Sequence, residues 1–164
     1  DRLSTRAEIE KLIFYVGDTK RVTLADVRAV VADTSGLAID DVLDAASAGD
    51  SKAALRALAV ARAEGTSPAT ILNAAIRHLS SLHKMSLQVE AGEDAESVLK
   101  RNRVFWRRMD DHKRALRRLG SHSIESALIL LGEAELDTRR SSALAETIAE
   151  RAILSLAERK RKSA

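Results

Sequence analysis

Four histidines, a run of aspartates and a row of arginines are the side chains of this sequence best equipped for chemistry. His78 and His83 are five residues apart. On a helix that spacing turns them away from each other, whereas an i, i+4 pair can share a metal. His112 and His122 lie on either side of an expected helix end and have no companion ligand pattern, so surface or half-buried histidines are expected. Asp40, Asp41 and Asp44 suit a metal or an acid–base pair by type. Their place beside Val42 and Leu43 suggests a simpler role, carboxylates in a first helical turn that offset the macrodipole. No two glycines are close enough to cradle a phosphate and none is followed by lysine, which argues against nucleotide hydrolysis. No serine follows a strand in the manner of a nucleophile elbow. Cysteine is absent, which removes disulfides, thiolate sites and cysteine nucleophiles and fits a reducing compartment. The expectation is a chain with no catalytic residue, no cofactor and no metal.

The arginine row is the constellation with a recognition role to offer. On a helix following Asn102, Phe105, Met109, His112 and Leu116 share one face, and Arg103, Arg107, Arg114 and Arg118 share the opposite one. Arginines about a turn apart can meet successive phosphates or carboxylates. The aromatics lie off that face, which speaks against a base-stacking platform. A second candidate partner surface is Ile129, Leu130 and Leu131, whose consecutive apolar side chains make a helix stripe too wide for one buried side. The net charge of +3 is too small to imply a polyanionic partner by itself, and the alternative for the arginine row is a solvated face.

The elements that must position these residues are helical. The chain has 164 residues, 45% hydrophobic and 31% charged, enough for one or two small folded domains. Aromatics make up only 2%, and no segment alternates with a period of two, so no sheet is expected. Capping signals open the apolar periodic stretches: Thr5 with Glu8, Thr23 with Asp26, Ser67 before Pro68, and Ser123 before Ile124. Most of the seven glycines close such stretches. Helices are expected over 5–16, 24–33, 40–48, 51–64, 68–91, 94–101, 103–119, 123–140 and 143–160. Ile9, Leu12 and Ile13 read as one core stripe, and Leu72, Ala75, Ile76, Leu79 and Leu82 as another. The turn residues Asp33-Thr34-Ser35-Gly36 mark a boundary between 1–36 and 37–164. The longest uncharged run, Gly65 to Ile76, is too short to span a bilayer, and the charged N-terminus has no signal-peptide pattern. The chain begins with Asp1 and not Met, so a piece of a longer protein is expected.

The order of segments resembles the C-terminal part of the delta subunits of bacterial DNA polymerase III clamp loaders. The stretches that carry the resemblance are Asp1-Arg-Leu-Ser-Thr-Arg-Ala-Glu-Ile-Glu-Lys-Leu12, Val22-Thr-Leu-Ala-Asp-Val-Arg-Ala-Val-Val31 and Val42-Leu-Asp-Ala-Ala46 with Ala48-Gly-Asp50. Glu64-Gly-Thr-Ser-Pro68, Arg101-Asn-Arg-Val-Phe-Trp106 and Ala134-Glu-Leu136 continue it along nearly the whole chain. The segment from Glu90 to Glu96 is more polar than the pattern expects.

The resemblance implies an all-α protein: a helical-bundle collar domain over 37–164, preceded over 1–36 by a remnant of a helical AAA+-type lid. It implies a non-catalytic assembly module of the subunit that opens the sliding clamp and loads it in DNA replication, within a DNA-directed DNA polymerase holoenzyme. The implied partners are the other clamp-loader subunits, gamma/tau and delta prime, through the collar. The clamp itself is met only by a missing N-terminal domain, and DNA through the assembled complex. The implied location is the bacterial cytoplasm, at the replisome on the nucleoid, with no membrane. No catalytic or clamp-binding residue carries over to this chain. The other reading is a free-standing helical adaptor or nucleic-acid-binding domain that uses the basic face.

Overall fold

A computed structural model describes residues 5, 7–12 and 22–160. The described residues are helical with no strand, as expected. The order is α1 (Leu24–Ala48), α2 (Ser51–Ala63), α3 (Pro68–Glu90), α4 (Ala95–Arg101), a 3-10 turn (Trp106–Arg108), α5 (Met109–Arg140), a second 3-10 turn (Ser142–Leu144) and α6 (Ala145–Glu158). None of the helices among the described residues is long and apolar enough to cross a membrane.

Local chemistry sets the helix ends. Thr23 and Asp26 form a reciprocal capping box: the Thr23 amide donates to Asp26 Oδ2 at 2.8 Å and the Asp26 amide donates to Thr23 Oγ1 at 3.2 Å. Ser67 Oγ accepts from the Thr70 amide at 3.1 Å, with Pro68 in the first turn where its missing N–H is harmless. Asp50 and Asp94 cap α2 and α4 in the same way.

The expected break at Asp33–Gly36 is absent, since α1 runs through it. A helix interior tolerates one glycine at about 1 kcal/mol, and Thr34 donates its hydroxyl back to the Val30 carbonyl at 3.0 Å instead of opening a turn. The chain divides into two compact units at Ala38/Ile39, inside this helix. In the first unit, residues 5 and 7–12 are helical; Ile13 and the rest of the expected 5–16 helix, and Gly17 after it, lie outside the described residues. The stripe expected there is not core: Ile9 is exposed and Leu12 half-buried. Residues Arg161 and Lys162 of the basic tail also lie outside the described residues.

The second unit is built around α3. Leu72, Ala75, Leu79 and Leu82 are all buried, joined by Ile71 and Met85. This face packs most extensively on α5 and also on α6 and α4, while α2 packs on α6. A stripe served by helices on several sides is that of a central bundle member.

Helix α5 is two helices meeting at Gly120, whose φ of 69° and ψ of 163° are non-helical. The start of the second half is capped from another helix and not by Ser123. Glu90, the last residue of α3, accepts from the Ser121 amide at 2.8 Å and from the Ser121 hydroxyl at 2.6 Å. This φ lies in the left-handed region, where a Cβ is strained. Gly120→Ala is expected to cost about 2 kcal/mol. Thermal and urea melts check it; a variant as stable as the parent shows that the kink relaxes.

Candidate functional site

Two groups of side chains stand out, one inside the second unit and one on its surface. The inner group starts from α1, where Asp44 turns inward and is only 6% exposed. Arg108, at the end of the 3-10 turn, donates to both Asp44 oxygens, Nε to Oδ2 at 2.6 Å and Nη2 to Oδ1 at 2.9 Å. A third nitrogen, Nη1, lies 3.0 Å from Asp40 Oδ2. This planar fork holds a carboxylate bidentately, as lysine cannot. The aspartates thus stand toward the C-terminal end of a helix, and Asp40 and Asp44 serve an arginine, not a helix dipole as expected.

Two histidines complete the group. His112 Nδ1 is 2.9 Å from the Arg108 carbonyl, which makes Nδ1 the protonated nitrogen. The rings of His78 and His112 meet edge to face at 5.3 Å. His78 Nε2 is 2.9 Å from the Ser47 hydroxyl. One ligand atom each from Asp44, His78 and His112 lie within 4.8 Å of one another, so histidines without companions in the sequence do have them in space. The set fits a metal poorly. Arg108 occupies both oxygens of Asp44 and brings a positive charge where a cation would sit. The Ser47–His78 pair resembles a nucleophile and base by type. Ser47 is 1% exposed, which leaves no path for a substrate to its hydroxyl.

Electrostatics agree with a structural clamp. Burial opposes the Arg108 charge, but Asp44, Asp40 and Asp41 outweigh it and raise its pKa. Burial raises Asp40 and Asp41 above the usual carboxylate range. Burial, then His112 and Arg108, push His78 down to about 3 from its ordinary 6.5. Burial likewise lowers His112, against the pull of Asp44. Through His78 the folded state binds fewer protons than the unfolded chain once pH drops below 6.5, while the raised Asp40 and Asp41 act in the opposite sense where carboxylates titrate. The stability that neutral His78 contributes above that pH is lost as pH falls toward about 3. The His78 contribution is about 2 kcal/mol at pH 5. Denaturant melts at pH 7 and pH 5, on the parent and on His78→Asn, check this: the variant should lose less on acidification.

The surface group lies between α4 and α5. No protein-family model matches this chain, and no curated protein matches it significantly. The surface must therefore be read from its own chemistry. Trp106 is 70% exposed and Phe105 is 55% exposed, with ring centroids 5.7 Å apart. The Arg107 guanidinium sits 5.0 Å over the Trp106 ring. The expectation that aromatics and arginines occupy opposite faces fails here, because 105–108 is not yet α-helix and the wheel does not apply.

The four arginines of the expected face part company. Arg103 is exposed with φ of 57°, the left-handed residue that ends α4. Its amide donates to Lys100 and that of Val104 to Leu99, the pattern that glycine closes at Gly49, Gly65 and Gly92. Arg103→Gly is expected to raise stability by about 0.5–1 kcal/mol, read as an upward shift in Tm; a lower Tm refutes it. Arg107 is exposed over Trp106, and Arg114 is exposed and paired with Asp111. Arg118 leaves the face altogether. It turns inward and donates to backbone carbonyls at the ends of two helices, from Nε to Ser47 at 3.0 Å and from Nη2 to Ala46 at 3.0 Å and Leu156 at 2.9 Å. Nη1 reaches Ala157 at 3.3 Å and also the Arg159 carbonyl.

The apolar candidate also divides. Leu131 is 2% exposed and belongs to the core, so it is unavailable to a partner. Ile129 is 65% exposed and Leu130 is exposed as well. A helix with neighbours on two sides buries the one and leaves the others free.

Proposed function

We propose that this chain is a non-catalytic assembly module, the collar of a clamp-loader delta subunit with part of the preceding lid. The observation that carries this reading is the ordered set of matched stretches from Asp1-Arg-Leu-Ser to Ala134-Glu-Leu136. An all-helical bundle is the architecture that such a module requires. The surface supports it too: Ile129, Leu130, Phe105 and Trp106 are exposed apolar side chains, whereas the Ser47 hydroxyl beside His78 is buried. In this reading the module joins gamma/tau and delta prime subunits in the bacterial cytoplasm and meets DNA through the assembled complex. Clamp opening in this reading is the work of the delta subunit's first domain and not of the residues of this chain.

The test is reconstitution with purified gamma/tau and delta prime subunits on a sizing column. Co-elution at micromolar concentration is the expected result; elution of the chain alone across that range defeats the proposal. Because Arg118 is turned inward and Arg114 is engaged by Asp111, charge reversal at Arg103 and Arg107 is the informative perturbation of the basic face.

The exposed Trp106, Phe105 and Arg107 favour a second reading, a nucleic-acid surface, since a base can stack on the one and a phosphate pair with the other. Phosphate contacts make affinity fall steeply with salt. Oligonucleotide binding that is salt-insensitive, or unchanged in Trp106→Ala, removes this reading.

A further inference from the structure

A third set of side chains bridges α3 and the part of α5 that follows the break at Gly120. His83 lies on α3. His122 and Glu125 lie on α5, at a spacing of i, i+3 that puts both on one helix face. The backbones that carry them are fixed by packing. Leu82 and Ile124, the chain neighbours of His83 and Glu125, are fully buried, and α3 packs on α5 more extensively than any other pair of helices among the described residues.

The two histidines converge on one carboxylate. His83 Nε2 is 3.3 Å from Glu125 Oε1, and His122 Nδ1 is 4.0 Å from Glu125 Oε2. The first contact is not a hydrogen bond: His83 Nε2 is buried and has no hydrogen-bond partner among the described residues. A buried ring nitrogen left unpaired is uncommon, because desolvating it is costly. Its distance from Oε1 matches a different bond. Zinc bonds of about 2.0–2.1 Å at the tetrahedral angle set two ligand atoms about 3.3–3.4 Å apart. His122 stands further out. Its ring is exposed and has no other polar partner among the described residues, so rotation of the side chain brings it in. The charge also suits a cation, in contrast to the group around Asp44. Neither arginine nor lysine pairs with Glu125 among the described residues, which leaves its charge to offset that of a metal.

We propose that His83, His122 and Glu125 bind one divalent transition-metal ion of the zinc class, with water in the fourth position. Two imidazoles and a carboxylate are a donor set that zinc accepts. The ion ties α3 to the half of α5 beyond Gly120, and it stabilises the folded chain by mass action because it binds that state alone. This site is independent of the assembly reading, and no clamp-loader subunit enters its test.

The untagged full chain, whose histidines are His78, His83, His112 and His122, is titrated with zinc sulfate near neutral pH in a buffer that does not chelate metals. Calorimetry is expected to give one ion per chain, with a rise in the thermal midpoint. Co2+ in place of zinc should show the intense visible bands of a tetrahedral ion. His83→Gln, His122→Gln and Glu125→Gln, each with the helical spectrum of the parent, should each weaken zinc binding at least tenfold. A measurement on the parent needs no variant: in NMR, zinc should shift the ring signals of His83 and His122 and leave those of His78 and His112 in place. Absence of binding at millimolar zinc, a pale octahedral cobalt spectrum, or parent-like affinity in any of the three variants overturns the proposal. So do shifts at His78 and His112 in place of His83 and His122, which put the metal in the buried group instead.

Discussion

Replacing Arg118 by methionine is expected to lower the stability of the bundle by about 3 kcal/mol. The guanidinium serves five carbonyls, of Ala46 and Ser47 at the end of α1 and of Leu156, Ala157 and Arg159 at the end of α6. Helix C-termini leave carbonyls without intrahelical partners and carry partial negative charge, so one cation between two of them satisfies both needs. Methionine fills similar space and leaves those oxygens to whatever water can reach them. Arg118→Lys should recover only part of the loss, because an ammonium on a single stem cannot span both ends. Gly49 makes the approach possible. A Cβ there would lie 2.8 Å from Arg118 Cδ, and the φ of 88° disfavours any side chain. Gly49→Ala is thus expected to be destabilising and non-additive with Arg118→Met, since both displace the same guanidinium. Denaturant melts of the two single variants and the double variant measure this. Strict additivity, or a parent-like Arg118→Met, would show that the carbonyls do not depend on the arginine.

Arg108→Met is expected to be more damaging, at about 4 kcal/mol, because it strands the buried Asp44 carboxylate. The pair itself is a weak source of net stability, since both ions lose their water. The sign of the expected double variant follows. Arg108→Met together with Asp44→Leu should be more stable than Arg108→Met alone, having removed the orphaned charge. Urea melts at pH 7 decide it, and a double variant worse than the single shows that packing, not charge, sets the cost. Asp44→Asn with the parent arginine should fall between these, keeping hydrogen bonds and losing the ion pair.

What could be read from sequence, and what could not, divides by distance along the chain. The caps at Thr23, Ser67 and Pro68 are contacts within a few residues, and they lie where the spacing puts them. The stripe on α3 is likewise local, because its period of 3.6 residues is a property of one helix. Asp33–Gly36 misled for the opposite reason: turn residues state a preference that a long helix can override at modest cost. The clamp around Asp44 was illegible. Arg108 is 64 residues from Asp44, and Ser47 is 31 from His78. Only the packing of α1, α3 and α5 brings them together. The arginine row failed at both ends. Before Met109 there is no α-helix for a wheel to describe, and at Arg118 the side chain is long enough to leave the face its Cα occupies.

The break at Gly120 has a dynamic consequence. It interrupts the ladder of i to i−4 bonds, and the glutamate from α3 gives the following residues a start of their own. Ser121–Glu158 is therefore an αα-hairpin with its own nucleation point, closed by the turn at Ser142–Leu144. Opening of such a segment can stop at the interruption instead of propagating back through Met109–Leu119. In hydrogen exchange the two halves of α5 should then show separate protection levels despite being continuous in the chain. Among the ties that resist this independence are Arg118, which lies before the break and grips the last turn of α6 after it, and Arg62 of α2, which donates to Glu150 and to the Glu146 carbonyl in the first turns of α6. The hairpin is hinged at Gly120 and held along its length by the core, with an arginine latch at each end of α6.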